Sequence, residues 1–309
     1  MLYNLGEAEY NLKKLDKAAD AFAEAADLNP APAETHFRLG LIASERDDRE
    51  NAIIEFRHAV ARAPQRADYH YLLGREFFRS GQWEQAAAEY QRAAKLDPQQ
   101  ALYFLSAGDA LYRAHQLPLA TEALERAAAL DAQLTDINYL IGRAYRSQGQ
   151  FQSAARYFER QLALNPRHEA ALAGLGYLEV EQGRFEGAEK HLQAALSVDP
   201  DDVAAIFDLG RMEFKQHRYP EAIQALSRAV ELDPDHTQAY YQLFLSYSRT
   251  GQQERAAQAL ATFKRLEKLD EDVRNEQERL SNLRKMQGEQ TAGRIEAPAD
   301  APAGGAPPP

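Results

Sequence analysis

Arginine and aromatic side chains return along this chain at one interval. Tyr71, Tyr139 and Phe207 are separated by multiples of 34 residues. So are Arg75, Arg143 and Arg211; Phe78, Tyr112, Arg146 and Phe214; and Arg79, Arg113 and Lys215. Side chains of these types combine a large apolar face with several hydrogen-bond donors, the pairing that protein-binding surfaces favour. Other chemistry finds no support. The eight histidines are His36, His58, His70, His115, His168, His191, His217 and His236. No two stand three to five apart, so no helix turn carries a metal-ligating pair. The chain has no cysteine, which excludes disulfides, thiol catalysis and cysteine-ligated zinc. Phosphate loops, nucleophile elbows and metalloprotease strings are missing, and Gly174-Leu175-Gly176 has no third glycine to make a dinucleotide fingerprint. The reading is a protein that is not an enzyme and needs no cofactor or metal.

The same interval runs through the residues that must position these side chains. Gly6, Gly40, Gly74, Gly108, Gly142, Gly176 and Gly210 form one column. Ala18, Ala52, Ala86, Ala120, Ala154, Ala188, Ala222 and Ala256 form another, and Pro30, Pro64, Pro98, Pro166, Pro200 and Pro234 a third. Larger apolar columns accompany them: Leu39, Leu73, Ile141, Leu175, Leu209 and Leu243, then Phe22, Phe56, Tyr90, Leu124, Phe158, Leu192, Leu226 and Leu260. A unit of this length cannot bury a core alone, and buries its apolar face on copies of itself. In the third copy, 69–80 and 83–96 read as two helices broken at Gly81-Gln82, where glycine accepts the positive φ that ends a helix. Gly149, Gly183 and Gly251 repeat that break. Proline then stops the second helix. The fourth copy has Ala132 in place of the proline, which predicts a softer boundary. A glycine kept inside a helix, at about 1 kcal/mol against alanine, predicts a close approach, with the Ala18 column as the opposing surface.

The period, the Leu-Gly pair, the Ala-x-x-x-aromatic step and the closing proline resemble the tetratricopeptide repeat (TPR) family, over residues 1 to 270. The resemblance implies an all-α, right-handed α-solenoid of about eight helix-turn-helix units. It further implies that the first helices line a concave groove holding an extended or helical segment of a partner protein. Carried onto this chain, the groove comprises Tyr71, Arg75, Phe78, Arg79, Tyr112, Arg113, Tyr139, Arg143, Arg146, Phe207, Arg211, Phe214 and Lys215. Over all copies those columns hold eight basic residues and four acidic ones, within a chain of net charge −11. The contrast implies a partner bearing carboxylates and apolar anchors, and an acidic chain without a long basic run argues against nucleic acid. The other reading keeps Tyr71, Tyr139 and Phe207 as padding between first helices and pairs the arginines with Asp68 and Asp136. Two specialised grooves of the family are not matched. The carboxylate clamp of chaperone-binding repeats would need Lys and Asn where Tyr3, Glu7, Leu41, Arg75 and Arg79 stand. The asparagine ladder of the O-GlcNAc transferases keeps only Asn4.

The ends depart from the pattern. The first copy lacks its opening residues, so further chain upstream is expected, and with it a second reading: the repeat portion of a larger envelope assembly factor or enzyme. Phe244 and Phe263 replace the glycine and an alanine of the last copy, and Gln161 breaks that alanine column in the fifth. Residues 264–286 stay helical in composition, with Leu266, Leu269, Val273, Leu280 and Leu283 at heptad-like steps, and 271–287 read as a C-terminal extension helix. A cap over the last repeat is the expectation, and a coiled-coil dimer the alternative. Residues 288–309, rich in Ala, Pro and Gly, read as a disordered tail. No apolar run reaches the ~20 residues that span a bilayer, and no signal peptide is visible, which leaves cytoplasm and periplasm both open.

Overall fold

The computed structural model describes the backbone of residues 1–27 and 32–295, and their side chains except those of 277 and 281–295. Sixteen α-helices and no strand occupy the described residues. They form eight pairs: α1 Leu2–Asn11 and α2 Leu15–Ala26, α3 Ala33–Glu45 and α4 Arg49–Arg62, α5 Ala67–Arg79 and α6 Trp83–Leu96, α7 Ala101–Arg113 and α8 Leu117–Leu130. Then come α9 Ile137–Ser147 and α10 Phe151–Leu164, α11 Glu169–Glu181 and α12 Phe185–Val198, α13 Val203–Lys215 and α14 Tyr219–Leu232, α15 Thr237–Arg249 and α16 Gln253–Ile295. The chain divides into two compact units, α1 to α12 in Met1–Pro200 and α13 to α16 beginning at Asp201. Within each, every helix packs on the one before it. First helices also touch first helices, α7 with α9, α9 with α11 and α13 with α15, so they share a side.

The glycine column has a different cause from the one the sequence suggests. A Cβ on Gly6, Gly40, Gly74, Gly108, Gly142, Gly176 or Gly210 would sit 2.6 to 2.8 Å from the side chain at Phe22, Phe56, Tyr90, Leu124, Phe158, Leu192 or Leu226. The opposing surface is therefore the aromatic and leucine column, with the alanine column contributing only backbone oxygens, as at Ala154 O, 3.2 Å from a Cβ on Gly142. The alanines from Ala18 to Ala222 are wholly buried, so they too stand where no larger group fits. Phe22, Phe56 and Phe158 are also wholly buried, and such burial is worth roughly 1.5–3 kcal/mol per side chain.

Each pair turns through one residue of positive φ. The column reads Lys13, Asp47, Gly81, His115, Gly149, Gly183, His217 and Gly251, with φ from 57° to 74°. In each copy the next backbone N–H reaches back to close the first helix, as Gln82 N to Phe77 O and Gln116 N to Leu111 O, both 2.9 Å. The turn is thus the same with and without glycine, and the four other residues take a conformation costing L-residues roughly 1–2 kcal/mol.

Second helices end at an extended residue before proline, as at Asp97 (φ −130°, ψ 88°) and Asp199 (φ −123°, ψ 99°). Pro30 lies outside the described residues. In the fourth copy α8 still ends at Leu130, with Asp131 extended at φ −144°, so its end is as sharp as the others. The change falls on the next helix. α9 starts two residues later than the period demands, after Asp136 at φ 58°. Asp136 is tied down there, accepting from Gln161 Nε2 at 3.1 Å and facing His168 Nε2 at 3.0 Å. Gln161 breaks its alanine column to make that bond.

α16 serves as a cover only at its start. Ala256, Ala259 and Leu266 are buried and Phe263 packs on Tyr241 at 5.2 Å between ring centroids. From Glu267 to Leu280 the described side chains are exposed, so this stretch of the helix does not bury a face on the last repeat; the side chains of 281–287 lie outside the described part. The helix also runs through 288–295, where the sequence reads as tail; Gly288 is one tolerated glycine and no proline follows until Pro298. Residues 296–309 lie outside the described part.

Gly142→Ala tests the close approach. Its added methyl meets Phe158 and Ala154, and overpacking of about 1–3 kcal/mol outweighs the gain in helix propensity. Urea unfolding should show a lower midpoint at unchanged slope, and Gly149→Ala, with open space but φ 71°, a loss of about 1 kcal/mol.

Candidate functional site

The expected site residues fall on first helices, and the two units hold them separately. In the first unit they lie on α5, α7 and α9. Glu76, one step from Arg75 on α5, is the residue the sequence reading missed. From the second copy onward its column is otherwise buried: Ile42, Ala110, Ala144, Leu178, Met212 and Ser246. Its side chain is wholly buried, and a buried carboxylate must be neutralised and hydrogen-bonded. Ser44 Oγ donates to Glu76 Oε1 at 2.7 Å, and Arg75 Nε donates to the same oxygen at 3.2 Å. Arg79 Nη1 donates to Glu76 Oε2 at 3.1 Å, and Arg79 Nη2 to Asp47 Oδ1 at 2.7 Å. Arg49 closes the cluster, donating to Asp47 and, at 3.1 Å, to the backbone oxygen of Arg79. Both Arg75 and Arg79 keep over a third of their side-chain surface in solvent.

Farther along, one carboxylate serves two arginines. Asp109 of α7 lies 3.6 Å from Arg113 Nε and 3.5 Å from Arg143 Nη2. Aromatic faces do the rest of the positioning. Arg113 lies over Phe78 and Trp83, 5.1 Å from each centroid; Arg143 lies 4.3 Å over Tyr112; and Arg146 lies 5.2 Å over Tyr177. Such contacts are worth about 0.5–1 kcal/mol when exposed, and more when desolvated. Phe78 meets Trp83 edge-on at 5.0 Å. Trp83, the sole tryptophan, lines a hollow of about 420 Å³ with Tyr112, Arg113, His115, Leu117 and Ser147. It stands at the start of α6, outside the first-helix columns, so column logic passed it over. Tyr71 and Tyr139 are half-buried between rings, Tyr71 between Tyr90 and Tyr103, and Tyr139 between Phe158 and His168. The arginines do not pair with Asp68 and Asp136: Asp68 holds Arg66 at 2.7 Å, and Asp136 is taken by Gln161 and His168. At the start of the unit Tyr10 hydrogen-bonds Glu45, and burial followed by that carboxylate pushes its hydroxyl up to about 12.

In the second unit Phe207 is buried, with the His236 ring 4.5 Å away between centroids. Arg211 donates to Asp208 Oδ1 at 2.8 Å and lies 5.7 Å over the Phe207 ring. Phe214 meets Tyr219 edge-on at 5.4 Å, and Lys215 is exposed. Among the described residues no group of three His, Cys, Asp or Glu could hold a metal ion, and no helix is long and apolar enough to cross a membrane.

Family profiles described as tetratricopeptide repeat match residues 1–32, 33–66, 139–189, 174–237 and 213–280, and one described as TPR repeat matches 74–115. No curated protein matches by sequence. Among solved structures the chain resembles the anaphase-promoting complex hetero-tetramer Cut9-Hcn1, with TM-score 0.60 and 17% identity over 82% of this chain and 50% of that one. It also resembles a TPR repeat-containing protein of Cytophaga hutchinsonii (TM-score 0.59, 17% identity, 78% of this chain and 99% of that one). PilW, a type IV pilus biogenesis factor, gives TM-score 0.57 at 20% identity over 64% of this chain and 92% of that one. At these identities the likeness is one of fold.

Glu76→Leu, which places the residue type of Leu178 in this column, removes one partner only and leaves the buried Ser44 hydroxyl without its acceptor, so a loss of about 1–3 kcal/mol is expected, limited because Arg75 and Arg79 reach solvent. Urea midpoints would show it; a loss above about 3 kcal/mol would mean that Arg75 and Arg79 cannot find other partners.

Proposed function

Because this chain belongs to the tetratricopeptide repeat family, we propose that it is a protein-interaction scaffold that grips a partner segment along the first-helix face of its first unit. Proteins of this family serve in general as non-catalytic scaffolds for other proteins. The observation that carries the finer reading is the state of Arg113, Arg143 and Arg146. Each guanidinium is oriented by an aromatic face, and a single carboxylate, Asp109, is shared between the first two. Around Asp109 three arginines thus stand against one carboxylate within a chain of net charge −11. A partner segment with carboxylates for the arginines and apolar side chains for Trp83, Tyr112 and Tyr177 fits it. Rigid aromatic anchors with adjoining arginines make the contacts that carry most binding energy at interfaces.

Arg113→Glu with Arg143→Glu and Arg146→Glu is the test. Affinity capture from native lysate should recover the partner at least tenfold less with this variant, at unchanged helicity by circular dichroism. Raising salt should weaken capture by the native chain, because the charges are solvent-exposed. Equal recovery by variant and native chain would remove this face from the reading.

A second association rests on α16. Leu269, Val273 and Leu280 are exposed at heptad-like steps on a helix that extends beyond the last repeat. We propose that this stripe pairs two copies of the chain. Light scattering across a concentration series should show the dimer, and Val273→Glu with Leu280→Glu should return it to monomer.

A further inference from the structure

The fourth repeat breaks the pattern at two places that converge on one spot, beside a third position that is small in half of the copies. Position 107 is alanine where the other copies have Leu39, Leu73, Ile141, Leu175, Leu209 and Leu243. Position 123 is alanine, as are Ala21, Ala225 and Ala259 in the same column, and so lacks the larger side chains of the adjacent copies, Glu89 and Tyr157. Position 119 is leucine where every other copy is polar or glycine: Lys17, Asn51, Gln85, Ser153, Gly187, Glu221 and Arg255. The truncation at Ala107 and the new apolar group at Leu119 line the same hollow, of about 880 Å³, with Ala123 beside them and Phe104 as its floor. The preceding repeat supplies the control. Its equivalent hollow, where Leu73, Gln85 and Glu89 stand, measures about 310 Å³. In that copy His70 faces Glu89 at 2.6 Å; in the fourth, Phe104 and Ala123 occupy the same columns and no such pair forms.

The site is distinct from the arginine face. At 100° per residue, Ala107 lies roughly 140–160° around α7 from Tyr112 and Asp109, and Phe104 roughly 140° from Asp109 and 80° from Tyr112. Its floor is apolar and open to solvent, and Leu119 keeps 45% of its surface exposed. Its rim carries charge of both signs in different states. Glu125 is engaged, accepting from Tyr145 at 2.7 Å and Tyr157 at 2.8 Å. Glu122 stands exposed on the rim. Among the described residues Lys95 and Arg126 have no ion-pair partner, and Arg126 lies 5.9 Å over the Phe104 ring.

We propose that this hollow is a second binding site, which takes a bulky apolar side chain of a partner's peptide segment, with an adjacent carboxylate of that segment on Lys95 and Arg126. Apolar floor and unpaired cations together define the ligand: an aromatic or leucine-like anchor followed by an acid. The truncation at Ala107 supports a selected opening, because a buried leucine replaced by alanine forfeits about 2–5 kcal/mol unless something else fills the space.

Two probes test it on the full chain. The first is 8-anilinonaphthalene-1-sulfonate, an aromatic group with an attached anion. It should bind the native chain at one site under folding conditions. Ala107→Leu with Leu119→Gln, which restores the residues of the preceding repeat, should weaken that binding at least tenfold. Leu119→Gln alone, a surface change that leaves packing untouched, should weaken it about threefold, and Arg126→Glu likewise. The second is a set of blocked tetrapeptides, acetyl-Gly-Phe-Asp-Gly-amide against its Asn and its Ala analogues. The Phe-Asp peptide should shift the Ala107 and Ala123 methyl resonances most, and the peptide without the aromatic least. Equal dye binding by the native chain and the filled variant would overturn the proposal, as would indifference of those methyls to the Phe-Asp peptide. The arginine-face variant should keep full dye binding, so failure at one site is read independently of the other.

Discussion

The fold rests on one repeated contact, a helix with no side chain at one position pressed against a ring or a leucine of its partner helix. The distance that a Cβ would have at Gly142, 2.7 Å from Phe158, is shorter than packed carbon atoms allow. That approach sets how near the two helices of a pair lie. It thereby decides that the alanine column must be alanine and that the first helices lie side by side. On the Phe158 ring the constraint acts twice, since a Cβ on Gly174 of the next repeat would lie 2.8 Å from its other edge. One ring thus joins a helix pair to its successor, which is how a unit too small for its own core borrows one.

The columns divide by what they owe this contact. Gly, Ala and the Phe22 column are fixed by it, and they made the architecture readable from spacing alone. The partner of the glycine was misassigned to the Ala18 column because spacing locates a close approach without saying which side chain causes it. The turn was half-legible. Four glycines advertised it, while Lys13, Asp47, His115 and His217 adopt the same left-handed conformation without announcing it. There a local preference yields to the backbone bond that closes each first helix.

The candidate site was legible to a different degree. Its arginines and aromatics could be placed on one face by period, and they stand on first helices in both units. Their states could not be read. The alternative that paired the arginines with Asp68 and Asp136 fails, because those carboxylates are held by Arg66, and by Gln161 with His168. Glu76 was invisible because its column is core in every neighbouring copy. Phe207 was expected on the groove and is buried, where Tyr71 and Tyr139 keep some exposure. The heptad steps of α16 were visible, but whether they met the last repeat or water depended on where the helix points, which no local pattern encodes.

In a repeat array each copy is a control for the others, and this gives departures unequal weight. A change on a solvent-facing column costs little and carries little information. A change on a packing-dictated column is expensive, so its persistence requires a compensating use. Glu76 places a charge among Ile42, Ala110 and Leu178, and is compensated locally by two arginines and Ser44. Asp136 takes a left-handed conformation where proline is missing, and is compensated by Gln161 and His168. Ala107 removes volume from the joint between α6, α7 and α8, and none of the described side chains takes it up: the hollow grows from about 310 to about 880 Å³. Of the departures that packing should forbid, this is the one whose compensation lies outside the chain, which is the reason to seek it in a partner.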